Sequence, residues 1–268
     1  MPWLDVPSGR LYYETTGEGD DLVFAHGLGG NHMSWWQQVP YFAGQYRCTV
    51  FAHRGFAPST ADPGGPGAHT FADDLEALLD HLGIEQVRLV AQSMGGWTCL
   101  EWALRHPERV KALVMCDTTG TLAHPEFPAI WAAQPRGREA GLFERHIHPA
   151  GGERMAEEQP ALHHLYWQIN DLASTLDKDA LRLQLGALRM RPVEALAALT
   201  MPVLCIAGEE DIVIPPETVR IMAAALPNGR FVSVPKTGHS VYFERADEFN
   251  RIVGAFLAEV DHPKRARQ

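Results

Sequence analysis

Six short apolar runs recur along the chain, separated by stretches of helical periodicity, and this alternation constrains the fold more than any other feature. The runs span residues 22–25, 47–52, 87–91, 112–116, 203–207 and 231–234. They are apolar almost throughout rather than at every second position, as strands covered on both faces should be. Helical patterns fall at about residues 34–43, 70–82, 94–105, 216–225 and 246–260. Thr70-Phe71-Ala72-Asp73 reads as a capped helix start, after which Leu75, Leu78, Leu79 and Leu82 repeat at helical spacing. Strand and helix in this order predict an α/β chain, with a mostly parallel twisted sheet and helices on both faces.

The alternation breaks once. Residues 120–199 hold no convincing strand, only helical patterns punctuated by Pro125, Pro128, Pro135, Pro149, Pro160 and Pro192. The expected organisation is a core of residues 1–119 and 200–268 carrying a helical cap insertion at 120–199. The cap would lie over the carboxyl edge of the sheet, where open α/β sheets bind ligands. Residues 62–67, Asp-Pro-Gly-Gly-Pro-Gly, read as a surface loop.

At 268 residues, 46% hydrophobic and 21% charged, the chain has the makings of an ordinary globular protein that needs no disulfide staples. Cys48, Cys99, Cys116 and Cys205 each sit in apolar surroundings without the short spacing of a metal or redox motif. They read as small core residues in a reducing compartment. The start, Met1-Pro2-Trp3-Leu4-Asp5, lacks a signal-peptide pattern, and no apolar stretch is long enough for a bilayer. A cytoplasmic protein is expected. A formal net charge of −10 argues against nucleic acid and anionic membrane as partners, since both need clustered Lys and Arg. The one basic cluster, Lys264-Arg265-Ala266-Arg267, reads as a frayed end.

Chemistry enters at Gln92-Ser93-Met94-Gly95-Gly96, between the strand at 87–91 and the helix beyond it. A strand turning sharply into a helix strains the residue at its apex and exposes that side chain at the helix N-terminus, where developing negative charge is favoured. A serine N-cap on an ordinary helix is the competing explanation. Ala91-Gln92-Ser93-Met94-Gly95-Gly96 resembles the nucleophile elbow of the α/β-hydrolase superfamily, with Ala91 where that pattern has glycine. Further segments resemble the same family in the same order, so the likeness spans nearly the whole chain.

His26-Gly27-Leu28-Gly29-Gly30 follows the strand at 22–25 and resembles the family's His-Gly-x loop. The resemblance implies that the backbone N–H groups of Leu28 and Met94 form an oxyanion hole, with His26 holding the loop. Residues 52–59, Ala-His-Arg-Gly-Phe-Ala-Pro-Ser, resemble an Asp-x-Arg-Gly-x-Gly-x-Ser turn that usually shapes the pocket wall. Ala52 and Ala57 depart from that pattern.

Gly208-Glu209-Glu210-Asp211 after the strand at 203–207 resembles the family's acid loop, and Thr237-Gly238-His239-Ser240 its histidine loop. The order Ser, Asp, His is that of this fold. The implied triad is Ser93, Asp211 and His239, with Glu209, Glu210 and Asp117 left as other candidates for the acid. Neutral imidazole suits the task of taking a proton from serine, because its ordinary pKa is about 6.5.

His124, His146, His148, His163 and His164 cluster in the insertion without a Cys or carboxylate set, so solvated helix faces are expected there and no metal. No glycine-rich phosphate loop appears, and no cofactor is implied. Leu28, Trp35, Met94, Trp131, Tyr166 and Trp167 are the candidate walls of an apolar pocket. An apolar pocket favours a neutral ester or lactone as small-molecule substrate, and the chain is similar to small carboxylesterases and 3-oxoadipate enol-lactonases. A thioesterase or carbon–carbon bond hydrolase would use the same three residues, with perhydrolysis as a side reaction. A ligand receptor on a hydrolase scaffold is the reading from a different class.

Overall fold

The computed structural model describes residues 2–134, 141–173 and 176–263. Pro135 and the basic cluster at 264–267 lie outside the described residues. Among the described residues nine strands form one sheet: β1 (Trp3–Val6), β2 (Gly9–Thr16), β3 (Asp20–Ala25), β4 (Tyr46–Phe51), β5 (Thr60–Ala61), β6 (Val87–Gln92), β7 (Val110–Cys116), β8 (Val203–Gly208) and β9 (Gly229–Val234). The order is β1-β2-β4-β3-β6-β7-β8-β9, with β5 alongside β2. Every pairing from β4 to β9 is parallel, and the pairings of β2 are antiparallel.

The six apolar runs are β3, β4, β6, β7, β8 and β9, within two residues at their ends. The three strands absent from the sequence reading are β1, β2 and β5. They form the half-exposed edge, where apolar residues are interspersed with solvated ones and no continuous run develops.

Ten α-helices are described: α1 (Val39–Phe42), α2 (Phe71–His81), α3 (Gly95–Arg105), α4 (Phe127–Ala133), α5 (Gly152–Glu158), α6 (Pro160–Asp171), α7 (Lys178–Ala187), α8 (Pro216–Ala225), α9 (Val241–Glu244) and α10 (Ala246–Asp261). The helix expected over 34–43 is instead a 3-10 turn at His32–Trp35, capped by Asn31, followed by the single turn of α1. Thr70 does precede α2 but does not cap it. Its hydroxyl donates to the Gly67 carbonyl at 3.0 Å, so the hydroxyl is turned back into the preceding turn.

Successive strand residues go to opposite faces, which is why the runs must be apolar throughout. Val23, Leu89, Leu113, Met115 and Cys205 pack on one side with Leu75 and Leu78 of α2, Leu100 and Trp102 of α3 and Met222 of α8. Phe24, Val90, Val114, Leu204 and Ile206 pack on the other with Phe42 of α1, Tyr242 of α9 and Phe249, Val253 and Leu257 of α10. The four cysteines are buried and unpaired, divided between these two layers, and burial pushes the thiols of Cys48 and Cys205 up to about 12.

Between β7 and β8 the described elements are helical, from α4 to α7, and one isolated bridge joins Leu122 to Arg191 near the two ends of this stretch. Among the described residues no helix is long and apolar enough to cross a membrane.

β3 pairs with β4 on one side and β6 on the other, so the chain changes direction across the sheet at this point. Ala25 lies in register with Ala91. The loop after β3 and the turn after β6 therefore emerge side by side at the carboxyl edge, the usual ligand crevice of such sheets.

Candidate active site

Ser93 sits at the turn from β6 into α3 with φ of +47°, a region a side chain seldom occupies. Three hydrogen bonds hold it there. Its N–H donates to the Cys116 carbonyl at 3.0 Å, and its own carbonyl accepts from Gly96 N and Thr118 Oγ1, each at 2.8 Å. The backbone passes so close that a Cβ on Gly95 would lie 2.1 Å from the Ala25 carbonyl oxygen. One on Gly96 would lie 2.3 Å from Thr118 Oγ1. Ala91, where the family pattern has glycine, is a fully buried member of the core.

Ser93 Oγ lies 2.8 Å from His239 Nε2, and His239 Nδ1 lies 2.7 Å from Asp211 Oδ2. The other Asp211 oxygen accepts from the N–H groups of Val213 at 2.7 Å and Ile214 at 2.9 Å, which orients the carboxylate. His239 is itself anchored through its carbonyl, which accepts from Gln92 Nε2 at 2.8 Å. Burial disfavours the imidazolium of His239, but the charge and hydrogen bond of Asp211 outweigh that and raise its pKa.

The structure separates the four acids. Arg154 pairs with Glu210 at the surface, and Glu209 is exposed, facing Ser233 Oγ at 3.4 Å. Asp117 is fully buried behind the pair of Asp211 and His239. It accepts from Gly208 N at 2.9 Å, Cys116 Sγ at 3.2 Å and Val241 N at 3.3 Å, tying together the ends of β7, β8 and the histidine loop. Burial, then the neighbouring charge of Asp211, raises its pKa to about 7. Glu244 was not singled out in the sequence. Buried beneath the histidine loop, it accepts from Gly238 N at 3.2 Å and Ser240 N at 3.4 Å, and burial raises its pKa to about 8.

Leu28 and Met94 both line the cavity above Ser93, and among the described residues neither backbone N–H donates to a protein acceptor. His26 holds the loop: Nε2 accepts from His53 N at 3.0 Å, which leaves Nδ1 to donate to the Gly27 carbonyl at 2.7 Å. Burial depresses its pKa to about 3, so the ring is neutral. The turn at 52–59 does not reach the cavity. Arg54 is paired with Asp74 inside the protein, and Phe56 packs against His26 at 5.0 Å, so the turn buttresses the loop from behind.

The cavity has a volume of about 330 Å³ and contains Ser93 and His239 in its wall. Of the expected walls, Leu28, Met94 and Tyr166 line it; Trp35, Trp131 and Trp167 do not. The 3-10 turn carries Trp35 into the core, where it packs on Tyr242 at 4.6 Å and Phe24 at 5.1 Å. Trp131 packs edge-on against Phe127. Trp167 is turned away by a hydrogen bond from its Nε1 to the His146 carbonyl at 3.0 Å.

In their place the cavity uses Trp97, one turn into α3, together with Phe143, His148, Leu185, Ile214 and Arg189. Trp97 lies four residues beyond Ser93, a spacing that could have indicated it. Nothing local marked Arg189. His148 and His163 are buried rather than solvated: His163 Nε2 accepts from His148 N at 3.0 Å. Among the described residues no group of three or more His, Cys, Asp or Glu is placed to hold a metal ion.

Comparison with known proteins agrees with this architecture. The family described as alpha/beta hydrolase fold matches residues 22–159, and that described as TAP-like protein matches residues 187–268. BpoC of Mycobacterium tuberculosis, named as a non-heme bromoperoxidase, is 31% identical over 94% of this chain and 98% of its own. The enol-lactonase of Burkholderia xenovorans LB400 superposes with a TM-score of 0.77 at 26% identity, covering 96% of this chain and 99% of its own. A thermophilic esterase from Thermogutta terrifontis gives 0.76 at 26% identity, covering 94% of each chain. Half the chain under one family description, a relative above 30% identity along nearly its full length and a sheet of the matching kind lead to one conclusion: the protein belongs to the α/β-hydrolase fold family.

Proposed function

We propose that the protein hydrolyses a carboxylic ester or lactone through an acyl-enzyme on Ser93. The observation that carries this reading is the chain of short contacts from Ser93 Oγ to His239 at 2.8 Å and from His239 to Asp211 at 2.7 Å, opening on a cavity. As Ser93 Oγ attacks the substrate carbonyl, His239 Nε2 takes its proton, and Asp211 stabilises the resulting imidazolium. The N–H groups of Leu28 and Met94 receive the developing oxyanion, each such donor lowering the barrier by on the order of 3 kcal/mol. The imidazolium then protonates the departing alkoxide, which remains tethered to the acyl group if the substrate is a lactone. Water, activated by the same imidazole, releases the acid and restores Ser93.

Relatives named as an esterase and an enol-lactonase support this substrate class, and the cavity volume suits a small ligand. The test is labelling of Ser93 by a fluorophosphonate together with hydrolysis of short p-nitrophenyl esters. Ser93→Ala should abolish labelling and lower kcat by on the order of 10⁴-fold or more. Labelling without turnover of any ester, lactone or thioester would favour the receptor reading, and absence of labelling would end the hydrolase reading.

A further inference from the structure

The cavity carries charge of one sign. Arg182 and Arg189 line it, and among the described residues no Asp or Glu does, in a protein whose net charge is −10. Arg182 is already neutralised, since it pairs with Asp179 on the exposed side of α7. Arg189 is not. Its guanidinium carbon lies 4.5 Å from the ring centroids of both Trp97 and Trp131, and Nη1 donates to Thr119 Oγ1 at 2.8 Å. Among the described residues no carboxylate forms an ion pair with it.

Aromatic faces offset part of the cost of placing a cation there, but they accept none of its in-plane hydrogen bonds. A guanidinium has five N–H donors, and among the described residues only Thr119 accepts from one of them. Removal from water pushes its pKa down to about 10, which still leaves it charged at neutral pH. Arg189 is only partly exposed, and a partly buried cation with no carboxylate partner among the described residues would be stabilised by an anionic ligand.

Building on the reading of Ser93 as nucleophile, we infer that Arg189 recognises an anionic group of the substrate, which is therefore an ester or lactone bearing a carboxylate away from the scissile bond. One unneutralised guanidinium matches one monoanion, and its planar fork matches the two oxygens of a carboxylate. Leu28, Met94, Leu185 and Ile214 in the same wall suit an aliphatic spacer. The expectation of a wholly neutral substrate, drawn from an apolar lining, is revised accordingly.

The test separates binding from turnover. Ser93→Ala protein is titrated calorimetrically with monomethyl glutarate and with dimethyl glutarate, which differ in one negative charge. The monoanion should bind at least about tenfold more tightly, the scale of one hydrogen-bonded charge. Arg189→Met should bring the ratio close to one, whereas Arg182→Met should leave it in place. Equal affinity for the two compounds overturns the inference, as does a preference that vanishes with Arg182 rather than Arg189. Should Arg189→Met fail to fold, the Ser93→Ala ratio and the Arg182→Met control decide. A neutral-ester hydrolase with no preference for the monoanion refutes this inference alone. Selective binding by a protein that neither labels nor turns over refutes only the hydrolase reading.

Discussion

His239 Nε2 lies 2.8 Å from Ser93 Oγ although 146 residues separate them in the chain. That distance is held from both sides, by the strained turn that presents the serine and by a histidine loop fastened to Gln92, Glu244 and Asp211. In the proposed mechanism the imidazole must be neutral to accept the serine proton, so activity falls as pH drops through its pKa. Since the charge and hydrogen bond of Asp211 raise that pKa, the acid limb of kcat/KM should lie above the ordinary histidine value of about 6.5. Asp211→Asn should move the limb down and lower kcat by on the order of 10⁴-fold. A pH–rate profile of both proteins is the measurement, and an unmoved limb would contradict the assignment of the acid.

Glu244 provides a second pH effect, in stability rather than rate. Its folded pKa is raised to about 8, so its neutral form is favoured in the fold. The stability it contributes is complete below the unfolded carboxyl value of about 4.3 and is lost as pH rises through about 8. Glu244→Gln has no such loss. The Tm of the variant relative to the wild type should therefore climb between pH 5 and pH 8, whichever is the more stable at pH 5. A difference that stays flat over that interval would rule this out.

The turn at Ser93 tolerates no added atom at Gly95, because the obstruction is the Ala25 carbonyl, part of the backbone of β3. Gly95→Ala should cost about 1–3 kcal/mol of stability, the scale of overpacking. It should also lower kcat by on the order of 10²-fold, because the proposed nucleophile Ser93 and the N–H of Met94 would move together. Urea unfolding and ester hydrolysis read the two effects separately. Full activity in the variant would show that the elbow has slack.

Arg54 and Asp74 form an ion pair with side chains only 4% and 3% exposed. Removing one partner leaves a buried charge, so Asp74→Ala should cost about 3–5 kcal/mol, whereas replacing both with apolar residues should cost far less. Urea unfolding of the single and double variants checks this. Because the turn carrying Arg54 lies behind His26 and not in the cavity, the loss is expected in stability first, with kcat following only if the loop of Leu28 shifts.

The sequence by itself determined the parallel sheet, because strands buried on both faces must be apolar at every position and leave a run that stands out. It also determined the elbow at Ser93 and the loop of Leu28, since both depend on small residues at fixed places next to a strand end. The antiparallel edge left no such run, and Thr70 showed the composition of a cap without its hydrogen bond. Only the tertiary structure decided which of Glu209, Glu210, Asp211 and Asp117 meets His239. Adjacent residues on one loop point in different directions, and the choice depends on how that loop docks against another strand's end. The cavity walls were decided there too. Trp35, Trp131 and Trp167 are as aromatic as Trp97, yet packing and one hydrogen bond send them elsewhere. Arg189 shares a cavity wall with Ser93 and His239, from which 96 and 50 positions of chain separate it. A contact made at that distance along the chain leaves no local pattern to read.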